Sequence, residues 1–345
     1  MNSEISAEYE TIWEQVEEIV PHNSRILITG ANGLIASNLV DALMYFNLVY
    51  SLNNEVIALC RNQKKAEKRF SKCTDNENFK IRCQDICDFD MEEECDYIIH
   101  AASNAHPMAY ATRPIETMRT NIIGTMRILE YAHSVRVKKV VYISTSEIYG
   151  ENEKDRLPED EYGRVNTLNP RSCYSESKRC AETLCVCYGK EKGVDVTIVR
   201  PGYIYGAQIT EDNSRADAQF LRDVINKRNI VMKSEGLQRR SYCYVADAVN
   251  AILYTMMKGA PGEAYNIANS DSEASIREFA ETMAAQGGVK VEYDIPSTVE
   301  QTGYSVVKNS LMSDEKLRAL GWIPQYNLYN GISQTMNNIN GRNEC

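Results

Sequence analysis

The 345-residue sequence contains no apolar run approaching the roughly 18 residues that a membrane span requires. It has no basic excess either. Its 38 Lys and Arg stand against 48 Asp and Glu, a formal net charge of −10. That balance excludes a nucleic-acid or membrane-surface binder, although an anionic small ligand answers only to local charge. Histidine is scarce at 4 residues. Cys83, Cys87 and Cys95 lack paired C-x-x-C spacing and no close histidine completes a zinc set, so no metal is expected. The 11 cysteines are odd in number, and Cys60 and Cys185 sit in apolar runs, which predicts reduced thiols in a cytoplasm. Met1 to Val20 is too acidic for a signal or transit peptide.

What remains is a chain able to bury a large core, with 43% hydrophobic residues. Residues 3–20 read as an amphipathic helix on Ile12, Val16 and Ile19, packing on the edge of the molecule. Short apolar strands are predicted at 25–29, 55–60, 80–82, 97–100, 139–144 and 195–200. Helical stretches lie between them at 34–46, 114–134 and 173–192. Strand and helix alternate for about 200 residues, which predicts an α/β fold with a parallel, doubly wound sheet. Past Arg200 the rhythm shifts to helices at 215–228, 245–258 and 275–286 joined by loops and short strands. The expected organisation is a helical extension over 1–23 and a dinucleotide-binding domain over 24–200. Residues 201–345 form mainly a smaller C-terminal substrate-binding lobe, with segments near 240–268 returning to the main sheet.

The first strand runs into Gly30-Ala-Asn32-Gly33-Leu34-Ile35-Ala36, which opens a helix. Glycines permit a tight turn and a close backbone approach to a pyrophosphate, and the helix N-terminus offers it free N–H groups. This is a Rossmann-type signature, spaced G-x-x-G-x-x-A. Arg61 follows the second strand, where an acid would grip the ribose of NAD and an arginine would accommodate the phosphate of NADP. Arg61 leaves that choice open, and a solvated loop arginine explains it equally. Asp85-Ile86, after the next strand, are placed to reach the adenine.

Tyr174-Ser-Glu-Ser-Lys178 sets a phenol and an ammonium on one helix face. A tyrosine base near neutrality needs its pKa of about 10 lowered by roughly 2–3 units. A neighbouring lysine and a positive nicotinamide ring supply that by stabilising the phenolate. An ordinary amphipathic helix also explains the spacing. The strand ending at Ser144-Thr145-Ser146-Glu147 adds hydroxyls and a carboxylate, the latter open to a purely structural reading as well.

Together with His100-Ala101-Ala102-Ser103, Thr120-Asn121-Ile-Ile-Gly-Thr125, Arg239-Arg240-Ser-Tyr-Cys-Tyr-Val-Ala-Asp247 and Lys316-Leu-Arg-Ala-Leu-Gly-Trp322, these motifs resemble an extended short-chain dehydrogenase/reductase. The resemblance covers residues 24–335 and points to the nucleotide-sugar epimerase/dehydratase/decarboxylase branch. It implies a first step in which Tyr174 takes the sugar C4 hydroxyl proton while hydride passes to the nicotinamide. Thr145 would hydrogen-bond that hydroxyl and Lys178 would hold the ribose. Gly30, Asn32, Gly33, Leu34, Ile35, Arg61, Asp85, Ile86, Ala101, Ala102 and Asn121 would join them in binding NAD, or NADP through Arg61. Asn121 would also support the active-site helix. Ser146, Tyr203, Arg240 and Lys308 would meet a nucleotide-diphosphate sugar, with Arg240 on the diphosphate, unless it is a solvated surface residue.

The second step turns on Ser146-Glu147. Dehydratases of the branch carry Thr-Asp-Glu at this point and 4-epimerases lack the glutamate. The Thr-Ser-Glu form most resembles the UDP-glucuronate decarboxylases, in which a 4-keto intermediate loses its carboxylate as carbon dioxide. Tyr203 replaces a frequent Asn, and Lys308 stands where those enzymes have an arginine, so the planar fork is missing. A 4,6-dehydratase and a 4-epimerase are the alternatives. A net NADPH-dependent reductase and an inactive nucleotide-sensing module are readings of other classes. The helices at 114–134 and 173–192 are the expected homodimer interface, as is common in such proteins.

Overall fold

The computed structural model describes residues 3–209, 213–295 and 309–343. The chain starts with α1 (Ser3–Val16), β1 (Arg25–Thr29), α2 (Leu34–Tyr50), β2 (Glu55–Cys60) and α3 (Gln63–Arg69). It continues through β3 (Phe79–Cys83), β4 (Tyr97–His100), α4 (Pro107–Thr112), α5 (Pro114–Ser134) and β5 (Lys139–Ile143). Next come β6 (Arg156–Leu157), α6 (Cys173–Lys192), β7 (Val196–Pro201), β8 (Tyr203–Tyr205), α7 (Ala216–Ile225) and β9 (Ile230–Met232). The last part holds β10 (Arg239–Tyr244), α8 (Val245–Lys258), β11 (Ala264–Ile267), β12 (Glu273–Ser275), α9 (Ile276–Gly287) and β13 (Val291–Tyr293). It ends with β14 (Asn309–Met312), α10 (Glu315–Arg318) and α11 (Leu328–Asn343).

Seven strands form one sheet in the order β11-β7-β5-β4-β1-β2-β3, and every neighbouring pair is parallel. Both faces of such a sheet are covered, so its strands need apolar residues on both sides. β5 is buried at all five positions. In β2 the pleat divides the residues: Val56, Ala58 and Cys60 join the core beneath α2 and α8, while Ile57 and Leu59 join the core beneath α5 and α6. The seventh strand, β11, comes from beyond the sixth by way of α8 and pairs with β7.

α1 buries Ile12 and Val16 against α2 and α8, and Trp13 stacks on Tyr50 at 3.8 Å. A second, smaller sheet runs β12-β10-β14-β6, with β8 also on β10. The two sheets are tied by buried polar contacts. Asn266, in β11, accepts from the Tyr149 hydroxyl at 2.6 Å and donates to the carbonyls of Leu157 and Ser313 at 3.0 Å. Among the described residues every cysteine is a free thiol. No helix among them is long and apolar enough to cross a membrane.

The strand order reverses between β1 and β4. In open α/β sheets the crevice at the carboxyl ends of the strands at that reversal is where ligands bind. A cleft of about 640 Å³ opens there.

Candidate active site

The floor of the cleft is the loop after β1. Gly30 has φ +64, and a Cβ there would lie 2.7 Å from Ala102 Cα, so only glycine fits. Gly33 forms the N-cap of α2 in an extended conformation with no side-chain cap and no acid in the first turn. The free N–H groups of that 17-residue helix are therefore offered to the cleft. Asn32, Leu34 and Ile35 line it beside Gly30 and Gly33, as do Ala101 and Ala102 at the end of β4.

Thr29 locks these two strand ends together. Its Oγ1 accepts from the N–H groups of Ala101 and Ala102, both at 3.1 Å, so its own proton goes to His100 Nδ1 at 2.7 Å. His100 then donates from Nε2 to Thr125 Oγ1 at 3.1 Å, and Thr125 donates to the Asn121 carbonyl at 2.5 Å. Burial, with Lys178 nearby, drives His100 down to about 3, which keeps this chain of bonds neutral. Asn121 continues it, donating to Ser177 Oγ at 2.9 Å in α6 and accepting from Ser103 Oγ at 2.7 Å. Asn121 is 1% exposed and does not line the cleft. Asn121 therefore braces α6 from behind the cleft, through Ser177.

At the ends of β2 and β3, Cys60, Arg61, Gln84 and Ile86 line the cleft, and Asp85 does not. Asp85 is exposed and its carboxylate accepts from Cys87 N at 2.8 Å, capping a short 3-10 turn. This capping bond fixes the Asp85 side chain at the cleft's edge, between Gln84 and Ile86, which line it. Arg61 is held by Glu116 and Asn104.

The opposite wall carries the acid–base groups. Thr145 and Tyr174 line the cleft with Lys178. Tyr174 is 3% exposed and stacks on Tyr110 at 5.1 Å. Burial pushes its phenol up to about 12, the Glu147 carboxylate adds to this, and Arg215 and the hydrogen-bonding Thr145 hydroxyl oppose it. Lys178 is 2% exposed, donates to the Ile143 carbonyl at 2.7 Å and lies 4.8 Å from the Tyr142 ring. Burial pulls it down to about 7. The sequence predicts a phenol lowered by its lysine. Here desolvation outweighs what Arg215 and Thr145 supply, so the phenol is raised rather than lowered.

Glu147 sits in a short 3-10 turn after β5, its N–H bonded to Thr145 Oγ1 at 3.2 Å. Its carboxylate takes the Tyr110 hydroxyl at 3.3 Å and Arg171 at 3.5 Å. Ser146 is half-buried beside it. Arg240 is 4% exposed, lies 4.9 Å from the Tyr203 ring and leaves its Nε unpartnered. Ser146, Glu147, Tyr203 and Arg240 stand outside the lining of the cleft itself. Lys308 lies outside the described residues. Sequence reasoning missed Arg215, which lines the cleft at the N-cap of α7 and neighbours Tyr174, Glu147 and Tyr203. No motif surrounds it, and only the tertiary approach of α7 gives it away.

These residues fit a dinucleotide. Among the described residues, five basic side chains line the cleft, Arg61, Lys65, Arg113, Lys178 and Arg215, and no carboxylate does. Asn32 Oδ1, Gln84 Oε1, Ser144 Oγ and Gln208 Oε1, all on its lining, are buried without a hydrogen-bond partner. A Rossmann-type sheet, a glycine loop at its switch point and a Tyr-Lys-Thr set facing that loop define a nicotinamide-nucleotide-dependent enzyme. Residues 26–268 match the model of the NAD dependent epimerase/dehydratase family, and the chain belongs to that family. Its cofactor is NAD.

The chain is 32% identical over 310 residues to UDP-glucuronic acid decarboxylase 3 of Arabidopsis thaliana, covering 90% of this chain and 87% of that protein. Among solved structures it resembles UDP-glucose 4-epimerase of Thermotoga maritima, with UDP-glucose, at TM-score 0.79 and 25% identity. That match covers 93% of this chain and 100% of the other. UDP-glucuronic acid 4-epimerase of Bacillus cereus, in complex with UDP-glucuronic acid and NAD, gives TM-score 0.78 at 22% identity over 92% and 99% of the two chains.

Proposed function

We propose that this enzyme decarboxylates a UDP-glucuronate-like nucleotide sugar after oxidising its C4. The observation that carries the reading is the Thr145-Ser146-Glu147 turn beside Tyr174. Glu147 is held there by Tyr110 and Arg171 with Arg215 nearby, in a chain whose UDP-glucuronic acid decarboxylase relative spans 90% of it. Bound NAD would take the C4 hydride and return it at the end, so no net oxidation results. The Tyr174 phenolate would receive the C4 hydroxyl proton, with Thr145 hydrogen-bonded to the same oxygen. Lys178 would turn from the Ile143 carbonyl to the nicotinamide ribose, where its charge favours the phenolate. The C4 ketone lies β to the C6 carboxylate. The C5–C6 bond then breaks, carbon dioxide leaves, and the bonding pair flows to the ketone oxygen as an enolate. Arg215 on the cleft, with Arg171 beside Glu147, would receive the substrate carboxylate. Glu147 would deliver a proton to C5 of the enolate, and Tyr174 would return its proton to the C4 oxygen as the hydride comes back.

Incubating the purified protein with UDP-glucuronate, UDP-glucose and dTDP-glucose tests this. Carbon dioxide and a UDP-pentose from the first alone are expected. A 4-keto-6-deoxy product from a glucose nucleotide, or no carbon dioxide from UDP-glucuronate, would overturn it. Tyr174→Phe should lower turnover by about 10²–10⁴ with NAD still bound.

The reading extends to a homodimer through α5 and α6, which pack side by side. Ile115, Met118 and Met126 make an exposed apolar stripe on α5, with Val186 exposed on α6. Light scattering on the eluting protein reads the mass directly. The free thiols fit a cytoplasmic setting.

A further inference from the structure

In a dinucleotide fold the end of the second strand meets the ribose of the adenosine. A carboxylate there grips the ribose hydroxyls, whereas an arginine accommodates a 2′-phosphate. In this chain β2 ends at Cys60 and Arg61 follows it, and among the described residues no carboxylate lines the cleft. A free Arg61, with Lys65 on the same wall, would invite the phosphorylated cofactor. Arg61 is not free. Its Nη1 donates to Glu116 Oε1 at 2.7 Å and its Nη2 to Asn104 Oδ1 at 3.1 Å. Asn104 Nδ2 donates to the same Glu116 oxygen at 3.3 Å, and Arg113 Nη1 donates to the other at 3.2 Å. Glu116 belongs to the first turn of α5, 55 positions along the chain from Arg61.

We propose that Glu116 determines cofactor choice, supplying from α5 the negative charge that the end of β2 lacks and holding Arg61 away from a 2′-phosphate. This rests on the use of NAD. A 2′-phosphate would have to displace Glu116 from the guanidinium and would then lie beside a carboxylate of its own sign. NAD, with a ribose hydroxyl at that point, meets neither penalty. Glu116 is a positioning residue, acting through Arg61. Its side chain is 36% exposed and that of Arg61 is 46% exposed, so the pair adds little to folding and its removal leaves the fold standing.

The test is calorimetric titration of the nucleotide-free full chain with NAD⁺ and with NADP⁺. The unaltered protein is expected to bind NAD⁺ at least about tenfold more tightly. Glu116→Gln should move the NADP⁺/NAD⁺ affinity ratio by about tenfold or more toward NADP⁺, while NAD⁺ affinity stays within about threefold. Adding Arg61→Ala to Glu116→Gln should remove that gain. The proposal is overturned if Glu116→Gln leaves the ratio unchanged, weakens both cofactors alike, or keeps its gain without Arg61. It is overturned too if the unaltered protein prefers NADP⁺. An unaltered protein that binds neither nucleotide would instead overturn the NAD reading itself, and this inference with it.

Discussion

Replacing Lys178 with methionine should make the protein more stable while removing its activity. The ammonium is 2% exposed and burial lowers it from 10.5 to about 7. Between those two values the unfolded chain binds the proton and the folded chain does not. Stability therefore rises with pH through that window, and the cost of burying the lysine is full below pH 7 and gone above pH 10.5. The shift corresponds to about 4 kcal/mol of destabilisation at pH 7, falling to about 2 kcal/mol at pH 9. Methionine has a similar length, no charge and enough flexibility to fill the space. It also strips the Ile143 carbonyl of its donor, at about 1–3 kcal/mol, but that loss does not depend on pH. The diagnostic quantity is thus the pH trend of the difference, not its value at one pH. Urea unfolding of both proteins at pH 7 and pH 9 should show the variant's advantage shrinking by about 2 kcal/mol. A difference that stays constant with pH would refute the reasoning, because it would mean that Lys178 is solvated or paired when folded.

Three further outcomes follow from particular contacts. Arg200 is forked onto Glu182 at 3.1 and 2.8 Å and also donates to the Tyr149 hydroxyl at 3.0 Å. Arg200→Met should cost about 3–5 kcal/mol in denaturant unfolding by stranding a buried carboxylate, and adding Glu182→Leu should recover part of it. Gly30→Ala places a Cβ 2.7 Å from Ala102 Cα at φ +64. NAD⁺ affinity in a binding titration should fall at least about tenfold, and an unchanged affinity would show that the loop yields. His100 is held neutral down to about 3. The unfolded chain takes up that proton below its ordinary 6.5, so stability drops by about 1.4 kcal/mol per pH unit below pH 6.5. His100→Gln should flatten that acid limb in urea midpoints measured between pH 6.5 and 5.

Much of the main sheet is legible in the sequence. The strands over 25–29, 55–60 and 97–100 and the helices over 114–134, 173–192 and 245–258 begin and end where the residue pattern places them. Each strand is a short apolar run with polar or glycine borders, and each helix keeps one apolar stripe. The smaller sheet is different. Its strands are two to six residues long and pair with distant partners, Arg239 with Ser275 in one direction and with Asn309 in another. No local pattern encodes such pairings. Thr145, Tyr174 and Lys178 are recognisable by spacing because one strand end and one helix carry them. The engagement of Arg61 by Glu116 and the arrival of Arg215 beside Tyr174 depend on tertiary approach alone. The upward shift of Tyr174 is equally hidden, since it follows from how deeply the phenol is buried.

Among the described residues the cleft is lined by basic side chains and no carboxylate, in a protein of formal net charge −10. An approaching dinucleotide or nucleotide sugar, itself a polyanion, is first repelled by the surface as a whole and only later drawn in by the five cations. Which field governs the encounter depends on distance. At about 0.15 M salt the screening length is about 8 Å, so the outer charges are largely muted while the cations at the cleft still act at contact. At about 0.01 M the length reaches about 30 Å, and the repulsion extends well past the rim. Association of anionic ligands with this protein should therefore quicken as salt is first added. That is the reverse of the response of a steered, oppositely charged pair, and it places the cations' effect in residence time rather than in capture.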